Sequence, residues 1–423
     1  MKILLVNHYA GGPRWGMEHR PYQLAREWVR TGHEVTIAAA SYSHLRHAQP
    51  ERAVAGPIVV DEIIDGIDYR WYPTPPYHGN GWARFANVRA FLAGLRRDAS
   101  YLAGTVAPDV VIASSTYPFD VAVAKRIARD CGALLVWEVH DLWPLSLIQI
   151  SGLSRVHPFV LWCGAAERAA CRDADVVVSM LPKVHDHLRT RGLDLIKLHV
   201  VPNGAAPEDW ARPPQPLRDD VQAALDRARA KRRTIVGYTG ALGRANAMHV
   251  LIDAAVQLRE ERFAFVLLGD GPERERLLRR MRQAKLSTMI VLPPVPKAQI
   301  PTFLRSIDIA YLGWRRLPMY RFGIGPNKLM DYMMGGCAVL HAVDAGNDPV
   351  RDADCGLTVA PEDPKAVARG LRQLAVAGAE QRAGMGRRGR AYVLTHHAYP
   401  VLAERFLDAV REGMARVRRG KGP

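Results

Sequence analysis

Twice along this chain, short uninterrupted apolar runs alternate with segments of helical period, and this recurrence narrows the fold more than any other feature. In the first half the runs lie at 3–6, 35–39, 110–113, 134–139 and 176–180, separated by helix-period stretches such as 22–31 and 121–131. A strand apolar on both faces must be covered on both, which predicts parallel sheets flanked by helices. Prolines and charges at 206–232 break the pattern and read as a linker. A second series follows at 235–239, 263–269, 289–292, 307–312, 338–341 and 357–360. The expected fold class is α/β, with two Rossmann-like doubly wound domains at 1–205 and 206–398 facing a cleft. The last helix, 399–419, is expected to pack back on the first domain. In such sheets ligands sit at the carboxyl ends of the strands.

The 423 residues suffice for two cores. No apolar run approaches the ~18–20 residues of a membrane span. The opening MKILLVNHYAGG reads as a buried first strand rather than a secretory leader. Five cysteines without a CxxC pair argue against a disulfide framework or zinc site and fit reduced thiols in the cytoplasm. The net charge of +16 calls for an anionic partner. Nucleic acid would bring basic blocks interleaved with aromatics or a binding module, and neither is evident. Solvated helix faces account for much of the charge.

The stretch YRFGIGPNKLMDYMMGG, 320–336, carries the strongest chemical signal. Gly323 and Gly325 form a turn, Pro326 suits the first turn of a helix, and Asn327, Lys328 and Asp331 follow. Free N–H groups, the positive end of the helix dipole and a lysine then converge on one point, which suits a diphosphate. Asp331 is placed to take ribose hydroxyls.

Gly240, Gly243 and Arg244 follow the first strand of the second series and admit an anion, or merely a tight turn. Gly269–Glu273 reads chiefly as a turn. The segment 293–296, with Val295, offers backbone groups to a flat base. In the first half, His140 ends a strand within WEVHDLWP, where structural and catalytic roles stand about level. Gly12 belongs to a flexible loop able to close on a phosphate, with Glu18 and His19 beside it. Along 80–97, Trp82, Phe85, Val88, Leu92 and Leu95 recur at helical spacing, while Arg84, Arg89, Arg96 and Arg97 lie largely elsewhere. That pattern suits an anionic membrane surface or a helix packed on a core. The basic tail (Arg416, Arg418, Arg419, Lys421) points the same way.

Taken in order, these motifs resemble the retaining family-4 glycosyltransferases with the GT-B fold, over nearly the whole chain. The resemblance runs through TGHEV at 31–35, APDVV at 107–111, VPNG at 201–204 and LGDGP at 268–272. EVHDLWP at 138–144 and PNKLMDYM at 326–333 look like the branch building bacterial O-antigen and capsule, including N-acetylfucosamine transferases. It implies His140 against the donor sugar, Lys328 and the Gly240–Arg244 turn on its diphosphate, Asp331 on the ribose, Gly12 near the phosphates and Val295 near the base. Two departures stand out. The family's first glutamate corresponds to Gly323, and its Gly-Arg and Lys-Gly pairs are replaced by Gly240-Ala241 and 245–247, leaving Arg244 as the substitute.

The expected reaction is transfer of a sugar from a nucleotide-sugar, a UDP-N-acetyl sugar, to a lipid-diphosphate-linked saccharide, with retention. Lys328 and Arg244 would do the work of a metal ion, so neither a metal nor a cofactor is expected. The expected setting is the cytoplasm, at the anionic face of the inner membrane, with Trp82, Phe85, Arg84 and Arg89 toward acceptor or lipid. The rivals are a UDP-sugar epimerase of the same fold and a non-catalytic nucleotide- or nucleic-acid-binding protein.

Overall fold

The computed structural model describes residues 1–16, 19–50, 58–79 and 81–420, so Glu18, Asn80 and Lys421 lie outside it. Two compact units divide the chain: Met1–Asn203 with the segment from Tyr399, and Gly204–Ala398.

The first unit is built on an eight-stranded sheet. Its strands are β1 (Lys2–Val6), β2 (Glu34–Ala40), β3 (Val60–Ile64), β4 (Ile67–Tyr72), β5 (Val110–Ala113), β6 (Leu134–Val139), β7 (Val176–Ser179) and β8 (Leu198–Val200). Their order is β3-β4-β2-β1-β5-β6-β7-β8, and every pairing is parallel except β3 with β4. β5, β6 and β7 are buried at every position, as their unbroken apolar runs require. The β3–β4 hairpin is an addition to the sequence reading. Asp65 and Gly66 both take positive φ (51° and 79°), which a two-residue hairpin turn needs. β3 lies at the sheet edge, where Val-Asp-Glu-Ile-Ile neither alternates nor carries an unbroken apolar run.

The helix Tyr399–Gly420 packs on His19–Arg30. The Trp28 indole donates to the Ala403 carbonyl at 3.2 Å, and its ring meets Phe406 edge-on at 5.2 Å. Arg416, expected in a basic surface tail, donates to the carbonyls of Ile196 and Asp175 instead. The helix expected at 80–97 runs Trp82–Tyr101, because Ala99 and Leu102 extend its buried face.

The second unit holds a six-stranded sheet, all parallel: β9 (Thr234–Thr239), β10 (Phe263–Leu268), β11 (Met289–Leu292), β12 (Ile309–Gly313), β13 (Ala338–Ala342) and β14 (Gly356–Val359), ordered β11-β10-β9-β12-β13-β14. The stretch read as a linker, 206–232, is largely folded. It forms helices Pro207–Ala211 and Asp219–Ala230, whose Trp210, Val221 and Leu225 enter this unit's core. Its charges sit where a helix tolerates them, Asp219 and Asp220 in the first turn and Arg227 and Arg229 in the last. Strand order reverses direction between β9 and β12, and between β1 and β5 in the first unit. At such switch points the strand ends leave a crevice.

Candidate functional site

In the second unit the crevice is closed from below by one helix face. Asn327–Met334 presents Lys328 and Tyr332, four residues apart and on one side. Tyr332 docks that side on the end of β9: its hydroxyl accepts from Thr239 N–H at 3.0 Å and donates to the Thr239 carbonyl. One turn earlier, Lys328 Nζ donates to the Tyr238 hydroxyl and to Asn246 Oδ1, both at 2.8 Å. Both acceptors are aligned by one carbonyl, Ala241, which takes hydrogen bonds from Tyr238 OH and Asn246 Nδ2. The ammonium lies 4.6 Å from the Tyr238 ring centre.

Among the described residues Lys328 pairs with no carboxylate, and burial alone pushes its ammonium down to about 8. A desolvated cation held by neutral oxygens is costly unless an anion completes it. The backbone supplies further donors. Asn327 and Lys328 open the helix, and their N–H groups have no acceptor within it. Pro326, expected inside the first turn, instead stands just before it (φ −72°, ψ 120°), and its carbonyl accepts from Leu329 N–H.

The Gly240 turn lies against the same lysine. Gly240 takes φ 134°, and a Cβ there would stand 3.0 Å from Lys328 Nζ. Gly269 and Gly271, read as a plain turn, brace it: a Cβ on Gly269 would come within 2.1 Å of the Gly240 carbonyl oxygen, and Leu242 N–H donates to Asp270 O at 2.8 Å. Gly243 precedes a short 3₁₀ turn, Arg244–Asn246, so Arg244 starts the turn that ends in the lysine's partner. Arg244 itself is exposed. Arg315 N–H, beyond β12, donates to Ala245 O at 2.9 Å and ties the two strand ends together.

The glycine turn before the helix is clamped. Ile324 N–H donates to Asn347 Oδ1 at 2.7 Å, Asn347 Nδ2 donates back to Ile324 O, and Gly323 takes φ 106°. Gly325 follows in the same turn. Asp331 is partly enclosed, and burial raises its carboxyl, opposed by Lys297. At 293–296, the carbonyls of Pro293 and Pro294 each accept from Arg218, and the Val295 side chain packs on the core.

In the first unit, His140 closes a buried network at the end of β6. Its Nε2 lies 3.0 Å from Glu138 Oε2 and 2.9 Å from Ser114 Oγ. Glu138 also accepts from Arg20 Nε at 2.8 Å, while Arg20 donates to the carbonyls of Pro202 and Val201. Burial alone would raise the Glu138 carboxyl, but Arg20, His140 and Ser114 outweigh it and hold it well below the usual range. An ionised carboxylate only accepts, so the imidazole carries a proton on Nε2. Arg20 and Glu138 escaped the sequence reading as a pair because 118 residues separate them. Another addition is Asp120, buried beneath the end of β5, whose carboxyl burial lifts to about 6. Gly12 forms an isolated bridge to Gly16 within its loop.

The helix Trp82–Tyr101 divides the two readings of its apolar stripe. Val88, Leu92 and Leu95 are core, whereas Trp82 is 87% exposed. Phe85 meets Phe159 and Trp162 at 6.3 and 6.2 Å, joining Trp82 to an aromatic cluster. Arg89 stays on the surface. Arg84, expected on the basic outer face, instead donates to the Tyr9 hydroxyl at 2.9 Å. Among the described residues no helix is long and apolar enough to cross a membrane.

Residues 16–204 match the glycosyl transferase 4-like domain, and residues 233–376 match glycosyl transferases group 1. The D-inositol 3-phosphate glycosyltransferase of Salinispora tropica is 26% identical over 340 residues, covering 74% of this chain and 66% of that protein. The putative colanic acid biosynthesis glycosyl transferase WcaI of Escherichia coli is 22% identical over 272 residues, covering 63% and 66%. The chain thus spans about two thirds of the length of these curated relatives. Sucrose-phosphate synthase from Thermosynechococcus elongatus superposes with a TM-score of 0.71 at 16% identity, over 98% of this chain and 99% of that one. The Anabaena protein HepE, solved in complex with UDP, superposes at 0.68 with 14% identity, over 97% and 100%. Residues 16–204 and 233–376 thus belong, in that order, to two glycosyltransferase domain families, and the chain has the GT-B fold.

Proposed function

We propose that this chain transfers a sugar, with retention, from a UDP-N-acetyl sugar to a saccharide carried on a lipid diphosphate, in the assembly of bacterial surface polysaccharide. The second unit takes the donor and the first takes the acceptor. One observation carries the donor assignment: a desolvated Lys328 without an acidic partner, beside open helix N–H groups and a glycine turn. That is the chemistry of a diphosphate site. The colanic acid relative and the UDP complex of HepE support the substrate class.

The sugar–phosphate bond breaks as positive charge builds on the sugar and negative charge on the leaving nucleoside diphosphate. The Asn327 and Lys328 N–H groups, the ammonium and Arg244 stabilise that leaving charge, each already oriented before reaction. The acceptor hydroxyl attacks from the departing face and gives its proton to the diphosphate. His140, held by Glu138 and Ser114 through Nε2, lies against the donor sugar. Gly12 approaches the phosphates, Asp331 holds the ribose, and Val295 lies by the base. Trp82 and Phe85 with Arg89 face the anionic inner-membrane surface on the cytoplasmic side.

The test is a panel of nucleotide-sugars with a lipid-diphosphate-linked GlcNAc acceptor, read by mass spectrometry and, for the anomer, by NMR. Extension of the acceptor by one sugar of the donor's configuration is expected. Epimerised donor in the absence of acceptor would overturn the transferase reading.

A further inference from the structure

The first unit contains a second cation that pairs with no carboxylate among the described residues, on the segment after β2. Arg46 is 5% exposed, and its Nη2 donates to the Ala40 carbonyl at 2.6 Å. Its other two nitrogens, Nε and Nη1, are buried without an acceptor among the described residues. The guanidinium lies 5.0 Å from the Trp71 ring centre, an aromatic face rather than an acid. A guanidinium cannot shed its proton at neutral pH, so burial leaves it charged and in need of a counter-ion.

Its surroundings are basic and rich in hydroxyls. The charges felt by His8 in this region are those of Arg46, Arg84 and His44, all basic. His8 is held by Tyr117 and Asn87, and His44 by the Tyr77 hydroxyl at 2.6 Å. Arg84 reaches the Tyr9 hydroxyl from the neighbouring helix. The glycine loop at 11–16 lies over the segment bearing Arg46: Ala48 N–H donates to the Trp15 carbonyl at 3.1 Å, and a Cβ on Gly16 would press on His47. Trp15 Nε1 is likewise buried without an acceptor. Three buried donors on two adjoining segments, none with an acceptor among the described residues, suit the oxygens of a polyoxyanion.

We propose that Arg46, with Arg84 beside it, is a diphosphate-binding site of the first unit, entered by displacement of the glycine loop and filled by the acceptor's diphosphate. This rests on the transferase reading for the source of the anion, but the binding of an anion there does not. It places recognition of the acceptor on its charged linkage, leaving the saccharide end for the transfer itself.

The experiment uses the full chain carrying Lys328→Met, which silences the other diphosphate site. Calorimetric titration with inorganic pyrophosphate is expected to show saturable binding, weakened about tenfold or more by adding Arg46→Met, the scale of losing charge-assisted hydrogen bonds. Hydrogen exchange in peptides covering 11–16 and 43–48 should slow with pyrophosphate, a readout independent of whether the double variant folds. No saturable binding, or no protection of those peptides, overturns the site and leaves buried water as the partner of Arg46. A short-chain prenyl-diphosphate sugar should bind more tightly than pyrophosphate; weaker binding overturns the acceptor as its occupant. UDP binding to Arg46→Met should match wild type, so loss of this site is distinguishable from failure of the donor site.

Discussion

Lys328 Nζ and Asn246 Oδ1 lie 2.8 Å apart, joining the helix after β12 to the turn after β9 across the strand-order reversal. The pair brings a charge to neutral oxygens, so the site is electrically incomplete as it stands. Its geometry is set without ligand, by Tyr332 on β9 and by the Ala241 carbonyl behind both acceptors.

Replacing Lys328 by Met should lower kcat/KM by about ten- to a thousandfold, the scale for removing one charge-stabilising donor. The melting temperature should hold or rise, since a desolvated charge is removed. Steady-state kinetics beside a thermal melt checks both, and an unchanged rate would take Lys328 out of the mechanism.

The same lysine predicts a pH limb. Its ammonium is lowered to about 8, so it loses its charge as pH climbs past that value, and kcat/KM should fall toward tenfold per pH unit. Lys328→Arg, which stays charged, should flatten this limb even if its absolute rate is lower. A profile from pH 6 to 10 decides the matter.

Glu138→Gln should destabilise the first unit by about 3–5 kcal/mol, because it leaves Arg20 charged and buried against a neutral amide. The sign with pH follows from the depressed carboxyl. The Glu138 contribution is complete above the ordinary glutamate value of 4.5 and is lost as pH falls below it. Denaturant melts at pH 7 and pH 3.5 should show the wild-type advantage shrinking at the lower pH.

Gly269→Ala should disrupt donor binding without touching the donor, since its methyl would stand 2.1 Å from the Gly240 oxygen. A strain cost of about 1–3 kcal/mol and weaker UDP binding are expected. Calorimetry with UDP tests this, and wild-type affinity would show that the Gly240 turn needs no such support.

Trp82→Ser with Phe85→Ser should reduce flotation with anionic liposomes while sparing the fold, because Trp82 is exposed and Val88 onward carries the packing. Binding equal to wild type would remove this patch from membrane contact.

The two parallel sheets were legible because burial on both faces leaves an unbroken apolar run, a local signature that needs no partner to be seen. The glycine turn and helix start within 320–336 were legible for a similar reason: glycine, proline and the start of a helix act on their own backbone. What escaped was set by long-range pairing. β3 has no strand period in its sequence, and only the neighbouring β4 makes it part of the sheet. The segment 206–232 is charged along its length, yet Trp210 and Leu225 find a core that its composition does not announce. The sequence by itself determined the strands buried on both faces, many of the helices that cover them and the glycine turns at their ends. Only the tertiary structure decided that Lys328 meets Asn246, that Arg20 meets Glu138, and that Arg46 is buried with no carboxylate beside it among the described residues. Those relations depend on desolvation and on distances between residues tens to hundreds of positions apart, and no local pattern encodes either.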